Sequence, residues 1–240
     1  MTKNAKRDSS VPHARGNALS STVHEINNPL DSVLNLLCMV ESDVGLSERS
    51  RNCLRMAEAE VRRISHIARD AMKRLHAEEI ATEEDVAELL GSVLQLHSSK
   101  LKRARISVVQ RYCNNTKLVV YPGLMRQVFN NLLLNAIDAM PHGGTLRAQI
   151  VFAHEWFGWK RMGLRVTVAD NGTGIPPEVL PRVKEPFFTT KGSAGNGMGL
   201  AVVQEIIAQH LGAFKIRSCS VPGRNGTVMT VFIPSCIGNA

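Results

Sequence analysis

Several short segments of this sequence carry side chains able to do chemistry, and the first is Val23-His24-Glu25-Ile26-Asn27-Asn28-Pro29-Leu30. On a helix Asn28 stands one turn from His24 and shares its face, while Glu25 lies about 100° round the axis, still within reach of the ring. Pro29 has no N–H to offer the carbonyl of Glu25, so the helix is expected to bend there and loosen the turn that bears the imidazole. An accessible imidazole beside a carboxylate is a nucleophile that can accept a transferred group.

About a hundred residues on, Gln127, Asn131 and Asn135 recur every four positions in an otherwise apolar run and draw a polar line along one helix. The carboxamide oxygens of Asn131 and Asn135 suit a hard cation such as Mg²⁺, which keeps several waters and bridges nucleotide phosphates. Asp170-Asn-Gly172-Thr-Gly174-Ile175 follows an apolar strand pattern, and its glycines let backbone approach a flat ligand. The Asp170 carboxylate can accept from an exocyclic amine, which adenine presents where guanine presents a carbonyl. ATP is therefore expected over GTP, since a mismatched buried polar pair costs about 1–3 kcal/mol. Gly195-Asn-Gly197-Met-Gly199-Leu200 opens a helix, whose N–H groups and dipole make an anion site for phosphates. Between the glycine clusters, Glu185-Pro-Phe187-Phe188-Thr-Thr-Lys191 reads as a lid with aromatic anchors and a cation for the terminal phosphate. Taken singly, these pieces also have ordinary readings: a surface histidine, a solvent-facing polar helix, an Asx turn, a pinned loop.

Elements to position them can be read from periodicity. Leu19, Val23, Ile26, Leu30, Val33, Leu37 and Val40 form the stripe of an amphipathic helix over 18–44, which Gly45 ends. A second stripe, Leu54, Ala57, Val61, Ile64, Ala68, Ala71 and Leu75, predicts a helix over 48–76. Two helices joined by a short turn pack as an antiparallel hairpin. A lone hairpin leaves apolar surface uncovered, so a homodimer forming a four-helix bundle is expected. Beyond a linker at 77–82, helices are expected over 83–98, 124–140 and 198–210. Strands are expected over 106–111, 145–152, 164–169, 214–217 and 227–233, and they look antiparallel. The fold class is thus α+β: the hairpin, then a two-layer α/β sandwich with helices on one face of the sheet. The divisions are a flexible 1–17, the hairpin at 18–76, the linker at 77–82, and a second domain at 83–238.

Composition narrows the field. A chain of 240 residues with 44% hydrophobic and 21% charged residues is of ordinary globular type. The longest apolar stretch, Val33 to Val40, is broken by Asn35 and far short of the roughly 20 residues a membrane helix needs, so no direct membrane insertion is expected. The start, Met1 to Arg15, is polar and basic without a signal-peptide core, which points to the cytoplasm. Five cysteines lack paired spacing and read as small buried hydrophobes. Net charge is +8, but the cations are dispersed and only two Trp and two Tyr are present to stack on bases, so nucleic acid is not expected as a partner.

The order and company of these motifs, over roughly 18–235, resemble the transmitter region of bacterial two-component sensor histidine kinases. The resemblance implies that His24 is the phospho-acceptor in the H box, with Glu25 orienting the ring or taking its proton. Asn28 would hold a water for the reverse, phosphatase direction. It implies further that Asn131 and Asn135 form the N box, which binds Mg²⁺, and that Asp170, Gly172 and Gly174 form the first glycine box. Phe187, Phe188 and Lys191 would belong to the lid, Gly195, Gly197, Gly199 and Leu200 to the second glycine box, and Gly226-Thr227 to the last glycine motif. ATP and Mg²⁺ are the implied substrate and cofactor. The implied partners are a second copy of the chain and the aspartate of a response-regulator receiver domain. No sensor domain precedes the hairpin, so the signal is expected from a separate sensor protein or from a segment outside this sequence.

The sequence departs from that pattern at Lys184, where the family often has the first phenylalanine of the lid, and in the very short stretch from Lys191 to Gly195. An alternative reading is an ATP-driven clamp of the gyrase, heat-shock-protein and mismatch-repair type, or an ATP-binding regulator without histidine kinase activity. The clamp hydrolases carry a glutamate four residues before the Mg²⁺-binding asparagine. Here that position is Asn131, which cannot act as a general base.

Overall fold

The computed structural model describes residues 47–77, 80–156, 161–190 and 197–235, together with the single positions Val33, Val40 and Gly45. The chain divides into two compact units, Met1–Glu79 with Thr189–Asn196, and Ile80–Phe188 with Gly197–Ala240. Among the described residues no helix is long and apolar enough to cross a membrane.

In the first unit one helix, α1 (Glu48–Ala77), answers to the second expected stripe. Ser47 starts it: its hydroxyl accepts from the N–H of Ser50 at 3.1 Å and its carbonyl from the N–H of Arg51 at 3.0 Å, which satisfies donors of the open first turn. Val61 is buried on the stripe, and Leu54 and Ala57 are half-buried. The first expected helix, 18–44, lies outside the described residues apart from helical Val33 and Val40.

The second unit begins with β1 (Thr82–Asp85), α2 (Val86–Leu96), α3 (Ser98–Arg103), β2 (Ile106–Tyr112), β3 (Lys117–Val120) and α4 (Pro122–Asp138). It continues with β4 (Gly144–His154), β5 (Met162–Asp170), α5 (Gly199–Gln209), β6 (Ala213–Cys219) and β7 (Gly226–Pro234). The main sheet runs β2-β4-β5-β7-β6, and β1 pairs separately with β3. Burial alternates along the strands: Leu146, Ala148, Ile150, Leu164, Val166 and Val168 are buried, whereas Arg147, Gln149 and Arg165 between them are exposed. One face of the sheet therefore packs on the apolar sides of α2, α4 and α5, and the other meets solvent. Phe232 breaks the alternation of β7 because Trp156 packs edge-on against it, with ring centroids 6.1 Å apart. The turn between β4 and β5 is clamped by Arg161, which donates to both carboxylate oxygens of Glu155 at 2.8 and 2.9 Å.

Three expectations need correction. The helix expected from residue 83 starts at Val86, because Thr82–Asp85 pairs antiparallel with β3, a strand that periodicity did not predict. Four residues rich in acids have little strand preference of their own, and tertiary pairing overrides it. The sheet is also not wholly antiparallel. β2 runs parallel to β4, with Ile106 opposite Gly144 and Tyr112 opposite Ile150, as a crossover through helix α4 permits. Finally, Cys53 is exposed and Cys113 and Cys219 are only partly covered. Cys53 lies on the polar side of an amphipathic helix, Cys113 follows the end of β2, and Cys219 ends β6.

Asp85 is the hinge of the first segment. Its carboxylate accepts from the N–H groups of Ala87 at 2.9 Å and Glu88 at 3.3 Å as the cap of α2, and from the hydroxyl of Thr116 beside β3. That hydroxyl first, and then the two N–H groups, hold the carboxyl below its usual 3.8 against the opposing effect of burial. A lowered carboxylate contributes stability that is present above about pH 4 and lost as pH falls through the folded-state value. Asp85→Ala is expected to lower unfolding free energy by about 1 kcal/mol at pH 7, measured by urea denaturation. The gap from wild type should narrow between pH 5 and pH 3, and a pH-independent gap would refute this role.

Candidate nucleotide-binding site

The expected site residues of the second unit converge at one end of β5. Asp170 closes that strand, 8% exposed, opposite Thr227 of β7 and Leu146 of β4. Its Oδ1 accepts from the N–H of Gly172 at 2.9 Å and from that of Thr227 at 3.3 Å. The carboxylate thus folds the following loop back on itself and ties it to the start of β7.

The loop from Asp170 to Ile175 is fastened on three sides by groups that no motif singled out. Thr173 donates its N–H to the carbonyl of Ala139, just past the end of α4, at 2.9 Å. Asn225 donates Nδ2 to the carbonyl of Gly172 at 2.7 Å, and Asn171 Oδ1 accepts from the N–H of Thr145 at 2.7 Å. Ser218 Oγ accepts from the N–H of Ile175 at 2.8 Å, donates to the carbonyl of Gly226 at 2.9 Å and lies 2.9 Å from Thr227 Oγ1. Its single proton and both lone pairs are engaged if Thr227 donates. Gly174 has φ +73, and a Cβ there would run into the carbonyl of Cys219, so the loop lies flat on the end of β6 only because that position is glycine.

α4 brings the polar line to the same place. Pro122 occupies its first turn, where a missing N–H costs nothing. Asn131 is buried, whereas Gln127 and Asn135 are half-buried. α5 starts at Gly199, and a Cβ built there would lie 3.6 Å from Asn135 Nδ2 and 3.7 Å from Asn131 Cγ. The absent side chain leaves the two carboxamides against the start of α5. Met198 at the N-cap makes no side-chain capping bond, so the first-turn N–H groups look to something other than a side-chain cap. Leu200 packs on the core just behind. The two helices are also locked at their far ends: Tyr121, preceding α4, donates its N–H to Nε2 of buried His210 at 3.2 Å. Nδ1 of that histidine lies 2.8 Å from the carbonyl of Ile206, so the ring is neutral with its proton on Nδ1.

The lid stem meets this corner too. Phe187 has φ +68, a left-handed conformation that costs a residue with a Cβ about 1–2 kcal/mol. A Cβ on Gly197, itself at φ +58, would stand 2.6 Å from the Phe187 carbonyl oxygen. Phe188 lies under the guanidinium of Arg182, 4.3 Å from its ring centroid.

Asn131, Asn135, Asp170, Gly172, Gly174, Phe187, Gly197, Gly199, Leu200 and Thr227 are therefore gathered in one unit. His24, Glu25, Asn28, Lys191 and Gly195 lie outside the described residues. The assembled groups comprise a buried carboxylate, two carboxamides, glycine-built backbone and a helix start. They can receive an amine-bearing flat ring at one end and phosphates with a hard cation at the other.

Comparison with known proteins agrees. Residues 121–236 match the family described as Histidine kinase-, DNA gyrase B-, and HSP90-like ATPase. The chain is 30% identical over 225 residues to the Sensor histidine kinase ZraS of Salmonella typhimurium, covering 92% of this chain and 46% of that protein. It is 30% identical over 206 residues to Sporulation kinase A of Bacillus subtilis, covering 85% of this chain and 32% of that one. The catalytic domain of histidine kinase ThkA superposes with a TM-score of 0.54 at 28% identity, over 64% of this chain and 97% of that one. Over most of its own length the chain is thus similar to sensor histidine kinases. It spans less than half the length of these curated relatives. The second unit, which carries the match to that ATPase family, is a mixed α/β domain with its helices on one face of the sheet.

Because Gly197 lies against Phe187 just ahead of α5, Gly197→Ala is expected to push the helix start off the two asparagines. ATP binding measured by calorimetry should weaken about tenfold or more while the far-ultraviolet circular dichroism is retained. Wild-type affinity in this variant would show that the contact does not shape the site.

Proposed function

We propose that this chain is the autophosphorylating transmitter of a two-component system, binding ATP in the 83–238 domain and transferring its γ-phosphoryl group to His24. The observation that carries the reading is the meeting of Asn131 and Asn135 with the start of α5, in the unit where Asp170 closes β5. In this reading Asp170 accepts the adenine amine. The backbone of Gly172 and Gly174 lets the base lie close, Thr227 supports the carboxylate, and the Gly195-to-Leu200 segment receives the phosphates with Phe187 and Lys191 of the lid. The carboxamides at Gly199 fit a hard cation, and Asn135 and Asn131 would hold Mg²⁺. When bound, Mg²⁺ neutralises charge on the phosphates, and the chain's own groups supply the positioning that phosphoryl transfer mainly needs.

His24 supplies a ring nitrogen to the γ-phosphorus as the bond to the bridging oxygen breaks and ADP leaves. Glu25 orients the ring or takes its proton, and the phosphoryl group then passes to an aspartate of a receiver domain. Asn28 holds the water for the reverse, phosphatase direction. Segment 18–76 serves as a dimeric helical hairpin carrying His24, with 77–82 as linker. The α1 stripe, with Val61 buried, supports the second half of that hairpin. The absence of a membrane-spanning helix among the described residues is compatible with a cytoplasmic setting. Buried Asn131 stands where a clamp hydrolase would need its base, so slow ATP turnover is part of the reading.

Incubation with γ-labelled ATP should place acid-labile, alkali-stable label on the chain, and His24→Gln should abolish it; normal labelling of that variant would end the assignment. Asn28→Ala is expected to autophosphorylate nearly as wild type but to dephosphorylate the phosphorylated receiver more slowly, by roughly tenfold or more if Asn28 contributes about one hydrogen bond to positioning the reacting water. Equal loss of both activities would make Asn28 a structural residue instead.

A further inference from the structure

The lid departs from its family at Lys184, and the surroundings of that residue give the departure a physical meaning. From Pro176 to Phe188 the chain runs as successive tight turns: Leu180 donates to the carbonyl of Pro176, Arg182 to Val179, Glu185 to Arg182 and Phe188 to Glu185, at 2.8–3.2 Å. A ribbon of this kind has no ladder to hold it, so its placement depends on where it is fastened. Its beginning is fastened at the far end of β6, by Ile175 on Ser218 and Gly174 against Cys219. Its other end is fastened at the near end of the same strand by Lys184. Nζ donates to the Phe214 carbonyl at 2.9 Å and stands 4.8 Å from the centroid of the Phe214 ring.

Lys184 lines a cleft together with Leu180, Pro181, Phe214, Lys215 and Ile216, and its head reaches a strand carbonyl. Burial holds the ammonium below its usual value of 10.5, as expected of a cation drawn onto the sheet edge. β6 is the edge strand of the sheet, and a charged donor on such a strand also blunts it against stray pairing. Three residues after Lys184 comes Phe187, whose backbone lies against Gly197, and two residues after Gly197 comes the first residue of α5, beside Asn131 and Asn135. A continuous series of tight contacts therefore links β6, Lys184, the stem, Gly197 and the start of α5.

We propose that Lys184 is a positioning residue of the nucleotide site: by docking the lid stem on β6 with a donated hydrogen bond and a cation–π contact, it sets where the phosphate-facing start of α5 stands. This rests on the reading of that site as an ATP site. A phenylalanine here would be held by packing alone, whereas the lysine adds a directional bond to one backbone oxygen. The stem is thereby registered along β6 and not merely pressed against it.

The test compares wild type, Lys184→Met and Lys184→Arg as the full chain. Calorimetry with a non-hydrolysable ATP analogue, the KM and kcat of autophosphorylation, and hydrogen exchange of the backbone are measured on each. Lys184→Met keeps the stem and removes the donor. It is expected to weaken analogue binding and raise KM about five- to tenfold, the net worth of one ordinary hydrogen bond at a half-buried site, with kcat little changed. Faster exchange is expected at 185–188 and 197–199 but not in β4 and β5. Lys184→Arg, which keeps charge and donor, should return affinity close to wild type. Wild-type affinity in Lys184→Met would overturn the proposal. So would loss of protection throughout the sheet, or failure of that variant to fold, since either makes Lys184 a general structural residue. If wild type is not labelled on His24 while Lys184→Met still loses analogue affinity, the kinase reading falls and the positioning role stands.

Discussion

A buried carboxylate at the end of the strand β5 is the constraint on which this site depends. Asp170 is 8% exposed, and a charge removed from water must be met by donors or it destabilises the fold. Two backbone N–H groups, those of Gly172 and Thr227, meet Oδ1, and meeting them dictates the path of both neighbouring segments. The loop after β5 must turn back on its own carboxylate, and the first residue pair of β7 must stand in register with Asp170. Ser218, Asn225 and the Ala139 carbonyl then complete the surroundings of the loop. A residue suited to recognising a ligand is thus also the one that shapes the backbone the ligand would touch.

α4 answers a second constraint. Its apolar residues Met125, Val128, Phe129, Leu132 and Leu133 are fully buried in the core, yet Asn131 is carried inward with them, and Asn135 follows one turn on. Turning both carboxamides to the start of α5 is possible because Gly199 leaves room there. The Tyr121–His210 bond at the other end keeps the helices from sliding. That bond joins residues 89 apart in the chain, and it works only while the imidazole offers a lone pair at Nε2.

Much of this was legible in residue order. The strands and helices of the second unit follow from period-two and period-3.6 apolar patterns, and their boundaries shift by a few residues at most: the helix expected at 124–140 is Pro122–Asp138, and the strand expected at 164–169 is Met162–Asp170. The strand Lys117–Val120 leaves no periodic signal because four residues are too few for a period, and Thr82–Asp85 leaves none because its acids favour no strand. The parallel pairing of β2 with β4 left no local trace either, since register and direction are settled by the crossover and not by the strand itself. The misplaced cysteines show the limit of composition: a residue type that is usually buried goes where its face of the element goes.

The sequence by itself determined which residue types meet a nucleotide, because carboxylate, carboxamides and glycines at those spacings are chemical requirements that show in a linear string. Only the tertiary structure decided which ordinary residues hold them in place. Ala139, Ser218, Asn225, His210 and Lys184 act through a carbonyl, a hydroxyl, an amide, a ring nitrogen and an ammonium directed at partners 8–89 positions away along the chain. Such contacts depend on distance in space, and nothing in local order encodes that distance.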